Sequence, residues 1–202
     1  MATEAKLTGY PYLVWNVPNT ITGIRVLLAA GIAYLLYQGH PAGIVTAGIL
    51  LLVAAWTDAL DGFLSRRLKQ ATAGGALFDL VADELLFIPA LLLAVRAGLF
   101  ARVDGLVVLN PYLYVLPALA GGASILAGVG FYLWKRRRRM MDFPSPPVIA
   151  KLNYWFWLAP LIVAVLNVGP DTLLAVLMYM AFVSTILTFY AYLKKGGYVF
   201  TD

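Results

Sequence analysis

Six long, predominantly apolar runs divide the chain: about Ile21–Tyr37, Pro41–Thr57, Gly75–Phe100, Pro111–Trp134, Val148–Val168 and Thr172–Leu193. Nothing else in the sequence restricts the fold as strongly. Crossing the hydrocarbon layer of a bilayer takes about 20 residues of α-helix. In that layer every backbone N–H and C=O needs an internal partner, so runs of this length must be helical. The alternating pattern of an outer-membrane barrel strand is absent. Composition agrees. Of 202 residues, 62% are hydrophobic and 12% charged, and the mean hydropathy is +0.83, whereas a soluble domain is near half apolar and a quarter charged. A soluble enzyme, a disordered chain and a solenoid are therefore excluded. The expected fold class is an all-α integral membrane protein with six transmembrane helices. It forms a single membrane domain over 1–202, with a cytoplasmic or interfacial segment at 1–19 and the six-helix bundle at 20–195.

The net charge of +5 would ordinarily suggest nucleic acid, but here the cations flank apolar runs, so a nucleic-acid partner is not expected. With the N-terminus inside, 13 of the 15 Lys and Arg residues fall on the cytoplasmic side; Arg96 and Arg102 are the two that do not. The positive-inside rule then places both termini in the cytoplasm. Tyr10, Tyr12 and Trp15, with Pro11 and Pro18 among them, predict a short N-terminal interfacial helix. No compact basic region precedes the first apolar run, so a cleaved signal is not expected. The fourth run carries Gly121, Gly122, Ala123, Ser124, Ala127, Gly128 and Gly130. Small residues of this kind let helices pack closely, either within the chain or across a homodimer. The basic run Lys135 to Arg139 is read as a topology anchor on anionic lipid heads or as a local positive potential for a phosphorylated substrate.

The chemistry concentrates between positions 58 and 83, DALDGFLSRRLKQATAGGALFDLVAD. Asp58 and Asp61 are spaced i,i+3 and Asp79 and Asp83 i,i+4, so each pair shares a helix face. Counting from Pro41 at 1.5 Å per residue places Asp58 roughly 25 Å down the second helix. A turn at Gly74–Gly75 would put Asp79 and Asp83 at about the same depth, just inside the cytoplasmic face. Carboxylates held together in a bilayer are costly and repel one another. A hard divalent cation such as Mg²⁺ or Ca²⁺ relieves both problems by taking carboxylate oxygens; one or two ions suit four acids, and the expected cofactor is Mg²⁺ or Mn²⁺. Histidine and cysteine are missing from this stretch, which disfavours zinc. Arg66, about two turns after Asp58, offers a fork that clamps phosphate bidentately. Acids, an arginine and glycines together suit a metal-bound diphosphate and phosphoryl transfer in a membrane.

The spacing D-x2-D-G-x2-S-R-x8-G-x3-D-x3-D resembles the signature of the CDP-alcohol phosphatidyltransferases, filled here by Asp58, Asp61, Gly62, Arg66, Gly75, Asp79 and Asp83. Ser65 stands where that family usually has alanine. The segment WNVPNTITGIRVLL, with Asn19, Thr22 and Arg25, is similar to the start of the phosphatidylglycerophosphate synthases within the family. The resemblance implies that Asp58, Asp61, Asp79 and Asp83 hold the metal, and that Asp83 is also the catalytic base that takes the proton of the acceptor hydroxyl. It implies that Gly62, Arg66 and Gly75 bind the CDP-lipid, and that Arg25 and Lys151 hold a phosphorylated acceptor. The implied reaction moves a phosphatidyl group from CDP-diacylglycerol to a polar alcohol and releases CMP. The implied place is a prokaryotic inner membrane, with the site near its cytoplasmic face.

The favoured acceptor is glycerol 3-phosphate, with inositol phosphate, serine and phosphatidylglycerol left open. Two departures bear on that choice: the fourth run has no charged residue, and Glu84 stands where those enzymes often carry lysine. A divalent-cation or proton-coupled transporter is the alternative from another class. Its site would be expected near the midplane, in related halves of the chain.

Overall fold

The computed structural model describes residues 16–68, 73–105 and 148–197, and every regular element among them is helical. The elements are α1 (Val17–Gln38), α2 (Pro41–Arg67), α3 (Ala73–Arg96), a short 3₁₀ turn (Ala101–Val103), α4 (Val148–Leu166) and α5 (Asp171–Gly197). The chain forms two compact units that divide within α3, after Leu93. Among the described residues, three stretches are long and apolar enough to cross a membrane, namely Val17–Gln38, Pro41–Ser65 and Asp171–Thr188. The segment preceding Asn16, the fourth apolar run and the basic run at 135–139 lie outside the described residues.

Helix α1 begins at Val17, four residues before the apolar run does. Asn16 is its N-cap, with the side-chain oxygen accepting the backbone N–H of Asn19 at 2.9 Å. Pro18 sits in the first turn, where its missing N–H costs nothing. The polar residues Asn19, Thr22 and Arg25 are consequently helical and buried. Helix α1 ends at Gly39, whose φ of 67° is left-handed and suits glycine. Pro41 then opens α2, so Gly39 and His40 alone join the two helices.

In α1 the buried positions Pro18, Thr22, Arg25, Ala29, Ile32 and Leu36 alternate steps of four and three. Helix α2 repeats that rhythm with Ala47, Leu51, Ala54, Asp58 and Asp61. This is the seam spacing of two helices packed side by side along their length. The pair is antiparallel, so Leu36 and Ala47 share one end of the seam while Thr22 and Asp61 meet at the other. The apolar stripe of each helix gives way to polar residues at the same end. On α3 the face bearing Ala82, Leu86 and Ala90 continues back through Asp83 and Asp79 to buried Gly75. The opposite faces carry exposed Ile24, Leu27, Val45, Ile49, Leu52, Val53, Trp56 and Phe63. Apolar side chains outside and charges inside suit a lipid surround.

Two details differ from the sequence reading. Gly74 and Gly75 are inside the first turns of α3 rather than in a turn preceding it. The third helix also stops at Arg96 instead of reaching Phe100, because Gly98 takes a φ of 71° and closes it.

In the second unit α4 and α5 pack as a pair. Their link bends at Asn167 and Gly169, with φ of 53° and 72°. Arg102 seals it by donating to the carbonyls of Val163, Val168 and Gly169 at 3.4, 3.1 and 3.2 Å. A cation at a helix C-terminus also complements the helix dipole.

Candidate functional site

The seams of α1, α2 and α3 bring four carboxylates around one guanidinium. Arg25 is fully buried. Its Nη1 lies 2.9 Å from Asp58 Oδ1, 2.9 Å from Asp79 Oδ1 and 2.7 Å from Asp83 Oδ1, and its Nη2 bonds Asp61 Oδ2. Thr22 Oγ1 reaches the same Asp61 oxygen at 3.2 Å. Each acid comes from the i,i+3 or i,i+4 pair legible in the sequence. Arg25 comes from the α1 stripe one step of three beyond Thr22.

The donor count does not close. A guanidinium Nη carries two hydrogens, and Nη1 faces three carboxylates. Those hydrogens go to Asp79 and Asp83, so Asp58 meets Nη1 as an ion pair without a hydrogen bond. Nε, meanwhile, is buried with no hydrogen-bond partner among the described residues. With all four acids ionised, one arginine leaves three negative charges unbalanced among its described neighbours.

That arrangement fits a hard cation. Asp58, Asp61 and Asp79 each present an oxygen, all within 4.8 Å of one another. No histidine or cysteine joins them among the described residues, and all-oxygen sites suit Mg²⁺ or Mn²⁺. Access is from the side of Asp79, whose side chain is 41% exposed against 5% for Asp61.

The remaining candidates divide. Gly62, four residues after Asp58, is on α2 beside the acids, and Gly75 is buried one turn before Asp79. Arg66 lies in the last turn of α2. Lys151 is in the first turn of α4, in the second unit. Glu84 makes no ion pair among the described residues, and its Oε2 is buried without a hydrogen-bond partner. The placement of Arg25 among the acids was missed by motif spacing. The four-and-three rhythm running from Leu36 back to Pro18 carried the signal.

Among the described residues, apolar helices that enclose a cluster of acids define the class, an all-helical membrane protein. The family model for CDP-alcohol phosphatidyltransferase matches residues 15–187, and the chain belongs to that family. Its relatives include the CDP-diacylglycerol–glycerol-3-phosphate 3-phosphatidyltransferase of Pseudomonas fluorescens, 44% identical over 81 residues, or 40% of this chain and 42% of that protein. The protein of the same name from Cereibacter sphaeroides is 36% identical over 104 residues, 51% of this chain and 42% of the relative. The Escherichia coli K12 protein of that name is 38% identical over 79 residues, 39% of this chain and 43% of the relative. The matched stretches thus span about two fifths of the length of these curated relatives.

Proposed function

We propose that the chain transfers the phosphatidyl group of CDP-diacylglycerol to glycerol 3-phosphate, releasing CMP. The observation that carries this reading is the convergence of Asp58, Asp61 and Asp79 within 4.8 Å, with Asp83 on the same guanidinium. The names of the relatives support the choice of donor and acceptor.

Asp58, Asp61, Asp79 and Asp83 would hold one or two divalent ions. When bound, the metal supplies charge neutralisation to the diphosphate and to the departing CMP. Arg66 binds the diphosphate through its planar fork, and Gly62 and Gly75 leave room for the CDP moiety because no Cβ intrudes. Asp83 accepts the proton of the acceptor hydroxyl. The hydroxyl oxygen bonds to the phosphorus bearing the diacylglycerol, the bond from that phosphorus to the CMP oxygen breaks, and CMP leaves with the electron pair. Arg25 and Lys151 are assigned to the phosphate of the acceptor. The setting is a six-helix bundle in a prokaryotic inner membrane, with both termini and the site toward the cytoplasm, and the assembly is a homodimer.

The test is an acceptor screen. Purified chain in detergent receives labelled CDP-diacylglycerol, Mg²⁺ or Mn²⁺, and each candidate alcohol, with products identified by mass. Phosphatidylglycerophosphate and CMP are expected with glycerol 3-phosphate. Product with serine, inositol phosphate or phosphatidylglycerol alone would reassign the acceptor. Absence of CMP release with every alcohol would overturn the reaction class.

A further inference from the structure

Arg25 holds the position that a cation would be expected to hold, and holds it badly. One Nη1 serves three carboxylates with two hydrogens, Asp58 receives charge without a hydrogen bond, and Nε is buried with no partner. A buried N–H left unmade carries an uncompensated desolvation cost. Yet the guanidinium is indispensable to the arrangement as it stands, because removing the one cation from a buried group of acids leaves like charges face to face.

We propose that Arg25 is an exchangeable counter-ion. Its guanidinium bridges α1 to α2 and α3 while the acids lack a divalent ion, and it leaves the carboxylates when that ion binds. Arginine release and metal uptake are then one competitive step. The inference rests on reading the acids as metal ligands and adds a role that the acids alone do not imply. Two observations favour exchange over permanent residence. Every Nη contact of Arg25 among the described residues is to a carboxylate that the ion would also need. The guanidinium engages through Nη1 and Nη2 alone, and Nε has no hydrogen-bond partner among the described residues to retain it. Exchange also explains how a buried acid cluster persists in the apolar seam before any metal arrives.

The experiment needs no turnover. The full chain in detergent micelles is stripped with EDTA and dialysed, and Mn²⁺ uptake is followed by loss of the free Mn²⁺ paramagnetic resonance signal. Thermal unfolding is recorded with and without Mn²⁺. Arg25→Gln should bind Mn²⁺ more tightly than the wild type, by on the order of tenfold. It should also unfold several degrees lower without metal, with much of that loss recovered when Mn²⁺ is present. Arg25→Lys is the second variant, in case glutamine prevents folding. A single ammonium reaches fewer of the four acids, so its Mn²⁺ affinity should lie between those of the wild type and Arg25→Gln. Affinity in either folded variant no higher than the wild type would overturn the exchange, since Arg25 would then belong to the loaded site. Wild-type protein that takes up no Mn²⁺ would overturn the metal reading itself, and the exchange with it; normal wild-type uptake with unaltered variant affinity would overturn the exchange alone.

Discussion

The α1–α3 cluster and the α4–α5 pair both bury polar side chains between apolar helices, and they resolve the cost in opposite ways. Between α4 and α5 the groups are neutral and matched. Trp157 Nε1 donates to Thr185 Oγ1 at 2.8 Å, and Asn153 Oδ1 faces the hydroxyls of both Ser184 and Thr185. Those hydroxyls also have the carbonyl of Ala181 within reach, at 2.8 and 3.0 Å. Trp157 Nε1 and the two hydroxyls each have an acceptor. In the first unit one guanidinium is overdrawn by four carboxylates and keeps an idle Nε. A balanced network holds helices together, whereas an unbalanced one is poised to take a ligand. Polarity within an apolar bundle is therefore a weak guide to function, and the balance of donors, acceptors and charge is a better one.

The largest effect expected from this contrast is at the acids proposed to share an ion. Asp61→Asn or Asp79→Asn should reduce turnover by on the order of 10³-fold or more, as losing a principal electrostatic element does. Membrane insertion should be unimpaired, since a costly charge has been removed. Near-normal release of CMP by either variant would dissolve the distinction between the two regions. Asp83→Asn comes next, with turnover falling roughly 10²-fold while CDP-diacylglycerol binding, read by equilibrium dialysis, stays close to the wild type. Loss of Mn²⁺ uptake with residual turnover would instead make Asp83 a ligand only.

Arg66→Lys should be milder. Losing one charge-assisted bond of about 1.5 kcal/mol raises the KM for CDP-diacylglycerol roughly tenfold, and an unchanged KM and kcat would remove Arg66 from the diphosphate. The smallest effect belongs to the matched network. Asn153→Ala should lower stability by about 0.6 kcal/mol, the average for interhelical hydrogen bonds between transmembrane helices, and by no more than about 1.7 kcal/mol, and leave kcat near the wild type. A kcat collapse in that variant would show that the neutral seam serves more than packing.

Much of this was legible in the chain. The acids announced themselves because charge inside an apolar run is rare, and the equal-depth estimate for the two pairs anticipated the meeting of Asp58, Asp61 and Asp79. Two features were obscured for definite physical reasons. The Gly74–Gly75 pair reads locally as a turn, yet it lies in the first turns of α3, where Gly75 is buried and absence of a side chain outweighs low helix propensity. The start of α1 was read late because Asn16, Pro18 and Asn19 break the apolar pattern, whereas capping chemistry makes them the first turn. Once that turn is helical, Thr22 and Arg25 fall in phase with Ala29, Ile32 and Leu36. Arg25 was thus visible as a residue, and its company depended on helix phase.

The two-residue link at Gly39 and His40 has a consequence for how the chain is made. Synthesis delivers α1 first, so Arg25 reaches the insertion machinery while Asp58, Asp61, Asp79 and Asp83 are still untranslated. Alone in a bilayer, a helix with an arginine about two turns in from its start is a poor candidate for release into lipid. A link this short makes α1 and α2 a helical hairpin, so two of the four acids arrive on the very next helix. Partition of the first helix therefore waits on the second, and the birth of the hairpin and the neutralisation of its charge become a single event.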